Sequence, residues 1–83
     1  MTSDKIDLTI DASGLACPLP LLKAKQGLSR LKQGECLRLL ATDPGSERDV
    51  QAYIRLSEHA LLELKKSEDV FSFILRKGET LRK

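Results

Sequence analysis

The chain predicts an α+β two-layer sandwich in the order β-α-β-α-β-β, with two helices on one face of a mixed four-stranded sheet. Three observations predict it. Four stretches alternate apolar and polar residues with period two, the signature of half-buried strands. Two stretches between them carry apolar residues at spacings of three and four, the signature of amphipathic helices. The length of 83 residues allows one small core and no second domain.

Ile6, Leu8 and Ile10 alternate with Asp7 and Thr9 in the first strand. A polar turn with Asp11, Ser13 and Gly14 follows. Leu21, Ala24, Leu28 and Leu31 then form the stripe of the first helix, with Pro18 in its first turn and Gly34 at its end. Glu35 to Thr42 reads as the second strand, with Leu37, Leu39 and Ala41 on one face. Asp43-Pro44-Gly45 is a turn, and Ser46 with Asp49 three residues on marks the second helix, with Ser46 as its cap. Val50, Tyr53, Ile54 and Ser57 form the inward side of that helix. Ala60 to Lys66 and Val70 to Lys77 are two strands joined by Ser67-Glu68-Asp69, an antiparallel hairpin. The first two strands, joined by a helix, form a parallel pair. The order of strands across the sheet stays open at this level.

Charge and composition exclude several classes of function. The last eight residues, Arg76 to Lys83, hold four basic and one acidic residue, against ten basic and eleven acidic in the remainder. The basic excess sits in this segment, expected to be a mobile tail, so no basic face offers direct DNA binding. Phe71, Phe73 and Tyr53 are the only aromatics, too few for a base-stacking surface. No apolar run reaches membrane-spanning length. The N-terminal segment carries Asp4 and Asp7 and no apolar stretch, so a cytoplasmic location is expected. Cys17, Cys36 and His59 are too few soft ligands for a closed four-ligand zinc site, and no metal is expected.

The chemistry concentrates in Asp11-Ala-Ser-Gly14-Leu-Ala-Cys17-Pro18-Leu-Pro20. This reading places Cys17 at the N-cap of the first helix, where the positive end of the macrodipole favours thiolate over thiol. A free thiol of pKa about 8.5 is only a few per cent ionised at pH 7, so a moderate drop makes a better nucleophile. Pro18 and Pro20 lack N–H groups, which argues against a phosphate cradle and for a stiff platform that holds one sulfur outward. Asp11 is expected to accept hydrogen bonds in an Asx-type turn, and Gly14 to supply a positive φ. Leu19, Lys23 and Lys25 are the candidate partner-contact residues. Cys36 is expected in the core or on the sheet surface, and His59 in a turn.

The ordered set Asp11-x-x-Gly14-x-x-Cys17-Pro18-x-Pro20 resembles the signature of the TusA-type, SirA-like sulfur-carrier family. The resemblance extends through Gly34-Glu35, Thr42-Asp43-Pro44, Arg48-Asp49, Glu58-His59 and Leu75-Arg76-Lys77-Gly78. It implies the same two-layer sandwich, and a sulfur carrier that accepts sulfane sulfur as a covalent persulfide on Cys17, with no other cofactor. It also implies a cysteine desulfurase or rhodanese-like protein as donor and a downstream protein as acceptor. Implied destinations are tRNA 2-thiouridine synthesis, molybdenum-cofactor supply and sulfur oxidation. Glu58 before His59 departs from the glycine of many relatives and leans towards the tRNA-thiolation subgroup. Leu19, between the prolines, is apolar here.

A carrier of this kind works as a monomer, which is the expectation. A rival reading of another class is a non-enzymatic adaptor acting through a strand edge or the basic tail. A thiol peroxidase ranks behind both, lacking an evident resolving cysteine.

Overall fold

A computed structural model describes residues 5–78. The elements are β1 (Leu8–Ala12), α1 (Leu19–Ser29), β2 (Cys36–Ala41), α2 (Gly45–Arg55), β3 (Ala60–Ser67) and β4 (Val70–Arg76). This is the expected β-α-β-α-β-β order. The sheet runs β1-β2-β4-β3, with β1 parallel to β2 and β4 antiparallel to both of its neighbours. The last strand therefore inserts between β2 and β3, which leaves β1 and β3 at the edges.

One apolar face of the sheet carries the core. Leu37, Leu39 and Ala41 of β2 and Phe71, Phe73 and Leu75 of β4 are buried, and their alternate neighbours are not. Ala24 and Leu28 of α1 and Val50 and Ile54 of α2 join the same cluster, so both helices cover that face. Burial of each Leu or Phe here stabilises the fold by about 1.5–3 kcal/mol. α1 approaches the sheet most closely at Gly27, where a Cβ would collide with the side chains of Leu37 and Ile10.

β3 breaks its own alternation, since Leu61 and Leu64 both pack on the core although three residues apart. The register shifts between Leu61 and Glu63, so Leu62 is the extra residue of a bulge and points out. The bulge brings both leucines to the inner face. Exposed Lys65 and Lys66 occupy the outer half of this edge strand, a charge arrangement that discourages edge-to-edge pairing.

Several boundaries differ from expectation. β1 starts at Leu8 rather than Ile6 and runs on to buried Ala12. α1 stops at Ser29, before Leu31, and Gly34 adopts φ +90° in the turn into β2 rather than at the helix end. α2 starts two residues early, and Ser46 is not its cap. Ser46 lies buried inside the first turn and donates its hydroxyl to the Asp43 carbonyl at 2.7 Å. Pro44 is the N-cap, and Asp43 before it accepts the Gly45 N–H through its carboxylate at 3.0 Å.

The basic segment from Arg76 is fastened at its start. Arg76 closes β4, and Lys77 bonds through both backbone groups to the Gly34–Glu35 turn. Residues 79–83 lie outside the described residues. No helix among the described residues is long and apolar enough to cross a membrane.

Candidate functional site

The site forms beyond the carboxyl ends of the parallel strands β1 and β2, the end where α/β sheets commonly bind. Asp11 bonds the Ser13 N–H through Oδ1 at 3.0 Å, the expected Asx turn. Ser13, through its hydroxyl and then its amide, holds the Asp11 carboxyl below its ordinary value. Gly14 takes φ +84° and donates its N–H to Thr42 Oγ1 at 2.9 Å. That bond ties the β1–α1 turn to the end of β2. Asp11 and Gly14 thus shape the loop that carries Cys17.

Cys17 sits one residue earlier than the N-cap reading placed it. Pro18 is the N-cap, Leu19 the first helical residue and Pro20 the second, so Pro18 does not occupy the first helical position. The Leu19 N–H, between two prolines that have none, is taken by the Ala16 carbonyl at 2.9 Å. Pro20 is fully buried and anchors the turn. No open N–H of the Pro18–Pro20 segment is left for Cys17.

The thiol looks instead to α2. Exposed Cys17 donates its S–H to Asp49 Oδ2 across 32 residues of sequence. Gly45 lies beside it: a Cβ at that glycine would stand in ordinary contact with Cys17, 3.4 Å from its Cβ and 3.5 Å from its Sγ. Cys17 therefore lies over the first turn of α2, between elements that the chain brings together only in the folded state.

This arrangement overturns the expected drop in thiol acidity constant. The Asp49 hydrogen bond pushes the Cys17 thiol up, with slight desolvation and the negative charges of Asp49 and Asp43 adding to it and Arg48 opposing. A carboxylate beside a sulfur disfavours the second negative charge that thiolate would bring. The α1 dipole does not offset this, because the Leu19 amide is taken by the Ala16 carbonyl and the sulfur's hydrogen bond goes to Asp49.

The proposed contact residues divide. Leu19 and Leu22 are 45% and 43% exposed at the start of α1, close in sequence to Cys17. Lys23 lines a shallow depression with Leu8, Ile10, Gln26, Gly27 and Arg30 on the β1 side. Lys25 points the other way, its Nζ 5.1 Å from the centre of the Tyr53 ring on α2. The two lysines do not share a face.

His59 lies outside the group around Cys17. Its Nδ1 accepts the Gly78 N–H at 3.0 Å, and its ring is 6.0 Å from that of Tyr53. Cys36 begins β2, whereas Cys17 faces the loop after its end. Six residues of strand at about 3.3 Å each separate the two ends. A resolving partnership between the cysteines within one chain is excluded by that span.

Asp49, with Asp43 and Gly45, is what sequence reasoning missed. Asp49 stands outside the apolar stripe of α2, and Arg48-Asp49 and Thr42-Asp43-Pro44 both recur in the family resemblance. Its pairing with Cys17 is tertiary, and no local pattern encodes it.

Comparison with known proteins places the chain by sequence and by fold. The chain is 42% identical over 72 residues to the sulfur carrier protein TusA of Allochromatium vinosum, covering 87% of this chain and 95% of that one. The crystal structure of a SirA-like protein from Desulfitobacterium hafniense superposes with a TM-score of 0.76 at 27% identity, over 87% of this chain and 99% of that one. Residues 8–77 match the family described as Sulfurtransferase TusA, a span that takes in every strand and helix and the whole turn around Cys17. On fold and on sequence alike, the chain belongs to the TusA sulfurtransferase family.

Proposed function

We propose that this chain is a sulfur carrier that takes sulfane sulfur onto Cys17 as a persulfide and hands it to an acceptor protein. The observation that carries the reading is the exposure of the Cys17 sulfur at a rigid loop, with a half-exposed apolar margin of Leu19 and Leu22 beside it. A partner's active-site loop can reach such an atom without opening the fold.

Loading exchanges one sulfur–sulfur bond for another. Cys17 Sγ attacks the outer sulfur of a donor persulfide, R–S–S–H; the donor S–S bond breaks and a new one forms on Cys17. The donor sulfur leaves with the proton that Cys17 gives up, so the products are Cys17–S–S–H and R–S–H. The transferred sulfur keeps its oxidation state, and no outside oxidant is consumed. In unloading, an acceptor thiolate takes the outer sulfur and Cys17 recovers its proton. A cysteine desulfurase or rhodanese-like protein fits the donor role, and the chemistry needs no cofactor beyond the covalent sulfur. Leu19 is the favoured contact for these partners. A single chain suffices for the exchange, and cytoplasmic tRNA thiolation is the destination that Glu58-His59 favours.

Incubation with a cysteine desulfurase and cysteine should add the mass of one sulfur atom to Cys17, removable by a thiol reductant. A Cys17→Ala protein that still accepts sulfur would sink the proposal.

A further inference from the structure

The group of charges around Cys17 is lopsided. Asp49 and Arg48 come from α2 and Asp43 from the loop before it, and these are the charged groups acting on the sulfur among the described residues. One of the three touches the sulfur, and that one is acidic. For a nucleophile this is an unexpected neighbour. It becomes intelligible if the contact belongs to one state of the carrier and not to the other.

We propose that Asp49 is a latch, a carboxylate that holds the empty carrier's exposed Cys17 sulfur against α2 as a protonated hydrogen-bond donor and turns the sulfur away from α2 once it is loaded. The expelling half rests on the persulfide reading of Cys17, and the holding half does not.

An ionised carboxylate only accepts hydrogen bonds, and a thiol has one proton to give. The empty state satisfies both. A persulfide is a stronger acid than its parent thiol, because the adjoining sulfur spreads the charge of the anion. At neutral pH the loaded group therefore gives up its proton to solvent and stands as Cys17–S–S⁻. It then has nothing to donate, and its charge opposes those of Asp49 and Asp43.

Space acts in the same direction. The added S–S bond lengthens the side chain by about 2.05 Å. On the α2 side the Asp49 carboxylate already stands in contact with the sulfur. On the α1 side buried Pro20 fixes the backbone. The outer sulfur's open direction is solvent, where an acceptor can take it. Empty and loaded carriers thus present different surfaces, and partners can tell them apart without any movement of the backbone.

The holding half is tested by the pH dependence of Cys17 alkylation by iodoacetamide, with Cys36 replaced by Ala so that one thiol is read. Asp49→Asn should speed the reaction at pH 7 by about fivefold, because one neighbouring negative charge is removed. Asp43→Asn should speed it less, and Asp49→Glu should restore the slow rate. Urea titration of each variant confirms that the comparison is between folded proteins. An Asp49→Asn rate equal to or slower than the parent's across pH 6–9, in a folded protein, overturns the holding half.

The expelling half is tested by amide NMR of the parent before and after loading by a cysteine desulfurase. Loading should shift the Gly45 and Asp49 resonances in the direction that Asp49→Asn shifts them in the empty protein. Unmoved resonances in a protein shown by mass to be loaded overturn it. A protein that takes up no sulfur refutes the carrier reading and the expelling half with it, and the alkylation rates decide the holding half by themselves.

Discussion

The Lys77 ammonium stands 2.6 Å from the carbonyl oxygen of Leu28, and a second bond of 3.2 Å reaches Leu31. Lys77 follows β4, yet it caps the far end of α1. The last carbonyls of a helix lack intrahelical donors and carry the negative end of its dipole, so a cation there satisfies both needs. Replacing Lys77 with Met keeps the aliphatic stem and removes the charge. Urea titration should show a loss of about 1–2 kcal/mol, and Lys77→Arg should recover part of it.

The β1–α1 turn should be sensitive at Gly14. Its φ of +84° lies in the left-handed region, although a Cβ there would meet no atom within 4 Å. The cost of Gly14→Ala is therefore conformational, about 1 kcal/mol, with no clash to relieve. Thr42→Val removes the acceptor of the Gly14 N–H and should cost about 0.5–1.5 kcal/mol. The double variant should lose less than the sum, because both changes act on the same junction.

Gly27 should resist enlargement for a different reason. It is buried in α1 directly against Leu37 and Ile10. Leu37 is fully buried and has no vacant space to move into. Gly27→Val should destabilise by about 1–3 kcal/mol through overpacking, despite the low helix propensity of glycine. Thermal unfolding monitored by circular dichroism checks this directly.

His59 should give stability an acid limb. Burial lowers its ionisation below the ordinary 6.5, with Lys77 adding to the effect and Glu58 opposing it. Its Nδ1 also serves as acceptor for the Gly78 N–H, a role that protonation ends. The unfolded chain therefore binds the proton more readily than the folded one. Stability should be complete above pH 6.5 and decline as pH falls below it, levelling off beneath the folded-state value. Urea titrations between pH 7.5 and 5 measure the slope, and His59→Phe should flatten it.

Much of this architecture is legible in the residues. Leu37, Leu39 and Ala41 alternate so regularly that β2 needs no tertiary information, and Val50 with Ile54 turns α2 towards the sheet. Strand order is not legible, because β4 could pair with β1 or β2 without altering its own pattern. The spacing of Leu61 and Leu64 conceals a bulge. The start of α2 moves ahead of Ser46 because the Asp43 side chain and carbonyl accept the Gly45 and Ser46 N–H groups.

At the site, Cys17 and its proline frame can be read locally, but its acidity cannot. The relevant charge arrives from Asp49 on the other helix. A dipole argument built on α1 alone assigns the wrong sign, since it omits both that carboxylate and the Ala16 carbonyl that occupies the Leu19 amide.

The bond between Cys17 and Asp49 also couples ionisation of the sulfur to the integrity of the tertiary structure. In an unfolded chain the two residues part, and the thiol ionises as an ordinary cysteine does. Because the folded protein holds its thiol above that ordinary value, the resulting stabilisation is complete below the unfolded thiol's titration and is lost as pH rises through the folded one. Alkaline solution and electrophilic reagents therefore favour the same species, and a blocking reagent acts fastest on molecules that have let go of their fold.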